Sequence, residues 1–142
     1  KKTGNSFKDQ GFQFIPIREA HIELIGAMMG REPPPVADVE GLTMVDRDFI
    51  PLGFALFYFE ENCISAHAYF GRWLRTYPKD ILRAIGGFFQ TQRERGVTNV
   101  LAIADESIEG STTLIRWMRG TPINRRHEFG EIYEIDLRRT LI

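Results

Sequence analysis

Cysteine, lysine and histidine are scarce in this chain of 142 residues, and each scarcity removes a class of answer. The single cysteine, Cys63, excludes an internal disulfide, and an apolar strand around it predicts an inert core thiol. The three histidines, His21, His67 and His127, are too dispersed to join it in a cluster with metal-ligand spacing, so no metal is expected. Lysine occurs only as Lys1, Lys2, Lys8 and Lys79 among 18 basic side chains, the rest being arginines, and 19 acidic groups leave a net charge of -1. No global field therefore draws the chain to nucleic acid or to an anionic membrane, and neither is expected as a partner. Long apolar runs are missing too: none approaches the roughly 20 residues that span a bilayer. The polar opening KKTGNSFKDQG has no signal-peptide core, and the phosphate-binding pattern GxxxxGK is absent.

What is present is 43% hydrophobic and 12% aromatic residues, enough for one compact domain over residues 12–142 behind a flexible leader, residues 1–11. The stretch at residues 63–96 organises the rest. Ile64, Ala66, Ala68 and Phe70 alternate with Cys63, Ser65, His67 and Tyr69, small or apolar on both faces as a central strand requires. Ile81, Leu82, Ile85, Phe88 and Phe89 then draw one apolar stripe on a helix begun by Pro78 and ended by Gly96. Gly86 and Gly87 inside it imply a need for space, most simply close packing on the sheet.

Before this stretch, residues 12–17 alternate as a short strand that Pro16 marks as an edge or an end. A helix follows with Ala20, Leu24, Ala27 and Met28 on one face and Ile25 and Met29 beside them, and Pro33, Pro34 and Pro35 break it into a loop. Residues 42–45 and 52–59 are strands joined by a polar turn, and Glu60, Glu61 and Asn62 turn the chain into the central strand, giving an antiparallel meander. After the central helix, NVLAIA at residues 99–104 reads as a strand parallel to the central one. Ser111 then caps a helix whose Leu114, Ile115, Trp117 and Met118 share a face, and residues 131–137 alternate as the last strand. The sum is an α/β (α+β) domain: one mixed, mostly antiparallel sheet of about six or seven strands with helices on both faces.

This order of elements, from about Phe12 to Leu137, resembles the GNAT superfamily of acetyl-CoA-dependent N-acetyltransferases. The resemblance implies an acyl-CoA N-acyltransferase fold, acetyl-CoA as the acyl donor, and a small-molecule or protein amine as acceptor. In that family the central strand leads into a loop of the form Arg/Gln-x-x-Gly-x-Gly/Ala, whose amides at a helix start hold pyrophosphate. The corresponding stretch here is Thr76, Tyr77, Pro78, Lys79, Asp80 and Ile81, which contains no glycine and loses one amide at Pro78. The family's tyrosine acid, within an Asn-x-x-Ala…Tyr-x-x-x-Gly-Phe pattern, falls at Arg116 in STTLIRWMRGTP, and arginine cannot donate a proton at neutral pH.

On this resemblance His67 is the candidate base and Tyr69 the candidate acid, set against a half-buried histidine satisfied by a neighbour and a packing aromatic. Phe70, Gly71, Arg72, Arg75 and Lys79 are the candidate coenzyme-binding residues, the three cations standing in for a glycine-lined amide loop, against solvated turn charges. Asp105 and Glu106 either orient an amine or a water or simply end the strand in polar residues. The arginines at 116, 119, 125, 126, 138 and 139 form either a basic patch or local ion pairs with Glu128, Glu131, Glu134 and Asp136. Binding of coenzyme A is expected to be weak, with a dissociation constant no tighter than about 0.1 mM, because exposed charge pairs replace an amide cradle poorly.

Two functions stay open: an N-acetyltransferase with a degenerate coenzyme loop, or a catalytically inactive structural or interaction protein, similar to acetyltransferase-like proteins of phages and prophages. The expected setting is cytoplasmic, or a virion interior in the phage case. Phe57, Tyr58 and Phe59 would seed a homo-oligomer interface if uncovered.

Overall fold

The computed structural model describes residues 7–29, 39–60, 63–106, 110–128 and 130–139. The loop at Pro33, Pro34 and Pro35, the turn at Glu61 and Asn62, and the side chain of Cys63 lie outside the described residues. In chain order the elements are β1 (Gln13–Pro16), α1 (Glu19–Met29), β2 (Val39–Val45), β3 (Pro51–Glu60), β4 (Cys63–Tyr69), α2 (Trp73–Thr76), α3 (Pro78–Glu94), β5 (Asn99–Asp105), α4 (Ser111–Trp117), β6 (Thr121–His127) and β7 (Gly130–Asp136). They build one mixed seven-stranded sheet in the order β1-β2-β3-β4-β5-β7-β6. As the alternation implies, β3 and β4 are antiparallel neighbours and β5 runs parallel to β4.

The pleat sorts side chains between two faces. One face carries Met44, Ala55, Phe57, Ala102, Tyr133 and Ile135, covered by Ile81, Ile85 and Phe89 of α3 and by Leu114, Ile115 and Met118 around α4. Phe88 stacks on Phe57 at 3.8 Å and Phe89 meets it edge-on at 5.7 Å. Phe57 is therefore covered within the chain and does not seed an interface. The opposite face carries Phe54 and Leu56, packed with Ile17 and Tyr69, and Ile17 leads directly into α1.

Several local expectations need correction. Residues 1–6 of the expected leader lie outside the described residues, while Phe7 is buried, stacked on Phe14 at 5.3 Å and edge-on to Tyr77 at 5.4 Å. In α1 the expected face is the wrong one: Ala20, Leu24 and Ala27 are exposed, whereas His21, Ile22 and Gly26 are buried. Apolar residues surround most of this helix, so periodicity does not select a face. Trp117 is 40% exposed because it flanks the stripe of Leu114, Ile115 and Met118 on a helix of two turns. Ser111 is not the cap: Gly110, with φ +82°, holds that position, and a Cβ there would stand 2.8 Å from Leu74 Cδ2. A Cβ on Gly87 would meet nothing within 4 Å, so sheet packing does not require that glycine. Strand β6 carries no apolar alternation, being mostly exposed and interrupted by Asn124 at φ +60°, and only its pairing with β7 makes it a strand.

The arginine-rich last third is in part locally paired. Arg138 grips Asp136 through Nε at 2.9 Å and Nη2 at 3.0 Å, holding that carboxyl down to about 2, and Arg126 reaches Glu106 at 3.1 Å.

Phe89→Ala removes a ring that is 2% exposed and should cost about 3–5 kcal/mol in urea unfolding, more than Phe88→Ala, whose ring is only half-buried. Equal or negligible losses would mean that the Phe57 contact does not organise the core. At the start of α1, the backbone N–H of Arg18 donates to Nδ1 of buried His21 at 3.2 Å, a reversed capping contact three residues apart. Burial first, and Arg18 second, lower the His21 pKa from its ordinary 6.5. The neutral ring belongs to the folded state, so its contribution is full above pH 6.5 and is lost as pH falls below that value toward the lowered pKa. Stability should therefore decline between about pH 7 and 5 more steeply in the native chain than in His21→Gln, which keeps an acceptor without titrating. Identical slopes would remove His21 from the account.

Candidate functional site

The site begins where two strands part. Strand β4 pairs with β3 along its whole length, to Tyr69 opposite Phe54, and β5 pairs with β7 to Asp105 opposite Gly130. Between themselves β4 and β5 pair only from Ile64–Ala66 against Val100–Ala102. Beyond those three residues each strand follows its antiparallel neighbour, and the sheet opens as a V whose arms are residues 67–69 and 103–105. Backbone groups along the inner edges of the V, the Asp105 N–H apart, are left for a ligand or water to meet.

On the α3 and α4 side the notch is floored by small residues, Ala66, Ala68 and Ala102, and walled by Phe89, Leu114 and Ile115. The cavity there measures about 40 Å³, room for roughly one or two waters.

On the other face stand Ser65, His67 and Tyr69 from β4 and, by the same alternation, Ile103 and Asp105 from β5. His67 is half-buried, and its ring meets Tyr58 edge to face at 5.2 Å and 81°. Burial pushes the Tyr58 hydroxyl pKa up, so it stays a proton donor. The sequence offers Tyr58 only as part of an apolar strand and, with Phe57 and Phe59, as the seed of an interface. Its place beside His67 follows from cross-strand register, Tyr58 opposite Ser65 with His67 on the diagonal. Tyr69 packs on Phe54, with ring centroids 6.0 Å apart. Its hydroxyl lies over the chain just beyond, 3.3 Å from where a Cβ on Gly71 would stand, and Gly71 takes φ +54°.

Asp105 is 4% exposed and its backbone N–H donates to the Ser111 hydroxyl at 3.1 Å, tying the end of β5 to the start of α4. Glu106 is exposed and paired with Arg126. Arg116 is exposed on α4.

The connection from β4 to α3 is wound up. Trp73 N–H donates to the Phe70 carbonyl at 3.0 Å, Leu74 to Gly71 at 3.2 Å, Arg75 to Arg72 at 3.1 Å, Thr76 to Arg72 at 3.4 Å and Tyr77 to Trp73 at 2.8 Å. These bonds make α2, where the sequence predicts an open turn, and they consume the amides that a phosphate-binding loop would present. Ile81 N–H is also spent, on Tyr77, so at the start of α3 the amides of Lys79 and Asp80 precede the first intrahelical bond, next to the Asp80 carboxylate. The side chain of Ile81 is fully buried in the core, and Tyr77 is held by Trp73 at 6.2 Å and Phe12 at 5.5 Å.

Of the five residues expected to hold a coenzyme, Phe70 is 3% exposed and meets Phe14 edge-on at 6.3 Å. Gly71 forms the turn. Arg72, Arg75 and Lys79 lie at the surface, the Arg72 guanidinium 4.6 Å over the Trp73 ring. The residues between β4 and α3 thus do not form the amide cradle that the pyrophosphate of an acyl donor would need.

No protein-family profile matches the chain, and no curated protein matches it in sequence. Solved structures do match. A GNAT-family acetyltransferase from Staphylococcus aureus superposes with a TM-score of 0.66 over 89% of this chain and 99% of its own, at 8% identity. A putative acyl-CoA N-acyltransferase from Klebsiella pneumoniae gives 0.64 over 89% and 97%, at 11% identity. A second Staphylococcus aureus N-acetyltransferase gives 0.62 over 89% and 98%, at 15% identity. Strand order and these superpositions agree: the chain has the fold of the GNAT acyltransferases.

Proposed function

We propose that this protein is a divergent N-acyltransferase that moves an acyl group from a coenzyme A thioester to an amine at the V between β4 and β5. The observation that carries the reading is the early end of β4–β5 pairing at Ala66 and Ala102, with His67 and Tyr69 on one face of the parted strand. The amine nitrogen attacks the thioester carbonyl carbon, neutral His67 takes the proton released from nitrogen, the C–S bond breaks, and the Tyr69 hydroxyl returns a proton to the departing thiolate. Tyr58 fixes the His67 ring from its edge. The phosphate end of the donor is held by Arg72, Arg75 and Lys79 rather than by backbone amides, which makes its affinity low.

One observation favours a second reading, a non-catalytic interaction protein on the same fold: the amides of residues 73–77 are committed to α2. The two readings part in an assay of acetyl-CoA-dependent acetylation over a panel of small amines. Under the first, the native protein turns over and His67→Ala loses about 100-fold or more in kcat with unchanged thermal unfolding. Turnover that survives the substitution would remove His67 from the mechanism, and no turnover on any amine would leave the second reading.

A further inference from the structure

We propose that the groove between β1 and α3 is a second binding site, one that takes a planar aromatic anion. Its volume is about 590 Å³, against about 40 Å³ at the V, and falls in the range of roughly 300–1,000 Å³ usual for small-molecule sites. Phe12 and Phe14 line one side, and Asp80, Arg83 and Ala84 from the first turns of α3 line the other. Helix α3 turns Ile85 and Phe89 toward the V and Asp80, Arg83 and Ala84 toward the groove, so the two sites use different faces of one helix.

Three features define the ligand. The rings are already in stacking order, Phe7 lying on Phe14 at 5.3 Å and 15° with Phe12 edge-on to Phe7 at 5.6 Å, so a further flat ring extends an existing arrangement. The charge is positive: Lys8 and Arg83 line the groove against the single carboxylate of Asp80, which lies 3.6 Å from Arg83. Lys8 has no ion-pair partner among the described residues. The wall is preformed, because Gly11 N–H donates to the Lys8 carbonyl at 2.9 Å and Phe12 N–H to the Phe7 carbonyl at 3.2 Å. Gly11, at φ +80°, brings that turn so close to Arg47 that an added Cβ would stand 2.7 Å from the Arg47 Cβ. A rigid aromatic wall with Lys8 on its own segment, opposite an Arg83–Asp80 pair that leaves the Lys8 charge in excess, selects a flat apolar ring bearing one negative group.

The probe is 8-anilinonaphthalene-1-sulfonate, titrated by fluorescence against the folded full chain, with uncharged N-phenyl-1-naphthylamine as the comparator. Saturable binding of one sulfonate per chain is expected. Lys8→Glu combined with Arg83→Glu, both at exposed positions, should weaken the sulfonate about tenfold and leave the naphthylamine within about twofold. Ala84→Trp should fill the groove and weaken both probes about tenfold, whereas His67→Ala should change neither. Near-UV circular dichroism of each variant checks that the fold persists. Absence of saturable binding, or sulfonate binding that the charge reversal leaves unchanged, overturns the proposal. Equal weakening of both probes by the charge reversal also overturns it, since recognition would then not depend on the anion.

Discussion

A β-strand has two edges, and the whole site depends on how β4 and β5 spend theirs. Each keeps an antiparallel partner to its end, β3 for one and β7 for the other, and these neighbours diverge. The parallel ladder between β4 and β5 can then hold for only three residue pairs. Alanines at 66, 68 and 102 keep side chains from bridging the gap, and α3 and α4 close one side of it. His67 lines the notch because it stands on β4 just past Ala66, its last residue paired with β5, and Tyr69 follows it on the same face of the strand.

The same chain spends its helix-terminal polar groups differently from what a phosphate site requires. Between β4 and α3 it forms α2, which satisfies the successive amides of residues 73–77 internally and buries Leu74. Tyr77 and Trp73 then join Phe7 and Phe12 in an aromatic cluster against the start of α3. Burial of that cluster stabilises the N-terminal turn and stiffens the connection. An amide cradle and local packing would draw on the same backbone groups, and here the amides of residues 73–77 are spent on α2. What remains for an anion is side-chain charge at Arg72, Arg75 and Lys79, which lies at the surface and is screened by salt, and the amides of Lys79 and Asp80 beside the Asp80 carboxylate.

Much of the fold was legible because its central elements carry unambiguous periods. Residues 63–70 alternate with a period of two, residues 52–59 are a short apolar run bounded by turns, and Ile81, Ile85 and Phe89 repeat at the helical spacing that buries them. Legibility failed where burial and pattern separate. Strand β6 is exposed and exists through pairing alone, α1 is apolar around most of its circumference, and α2 is a single turn whose cause is tertiary aromatic packing. The candidate site was legible only in its side chains. His67 and Tyr69 could be picked out by side-chain chemistry on a central strand, but the parting of β4 from β5 is a property of several neighbouring strands at once. Tyr58 belongs to the preceding strand, among apolar residues that give no sign of a polar role, and it comes beside His67 only through the β3–β4 register.

The claim that a ligand enters at the V, and not at an amide cradle before α3, can be tested by amide chemical shifts in a titration of the ¹⁵N-labelled protein with acetyl-CoA. The account predicts that the amides of residues 67–69, 103 and 104 shift most, with fast exchange, while those of residues 73–77, already bonded within α2 and near the donor only through the Arg72 and Arg75 side chains, shift less. Largest shifts at residues 73–77, with the arms of the V unmoved, would contradict it.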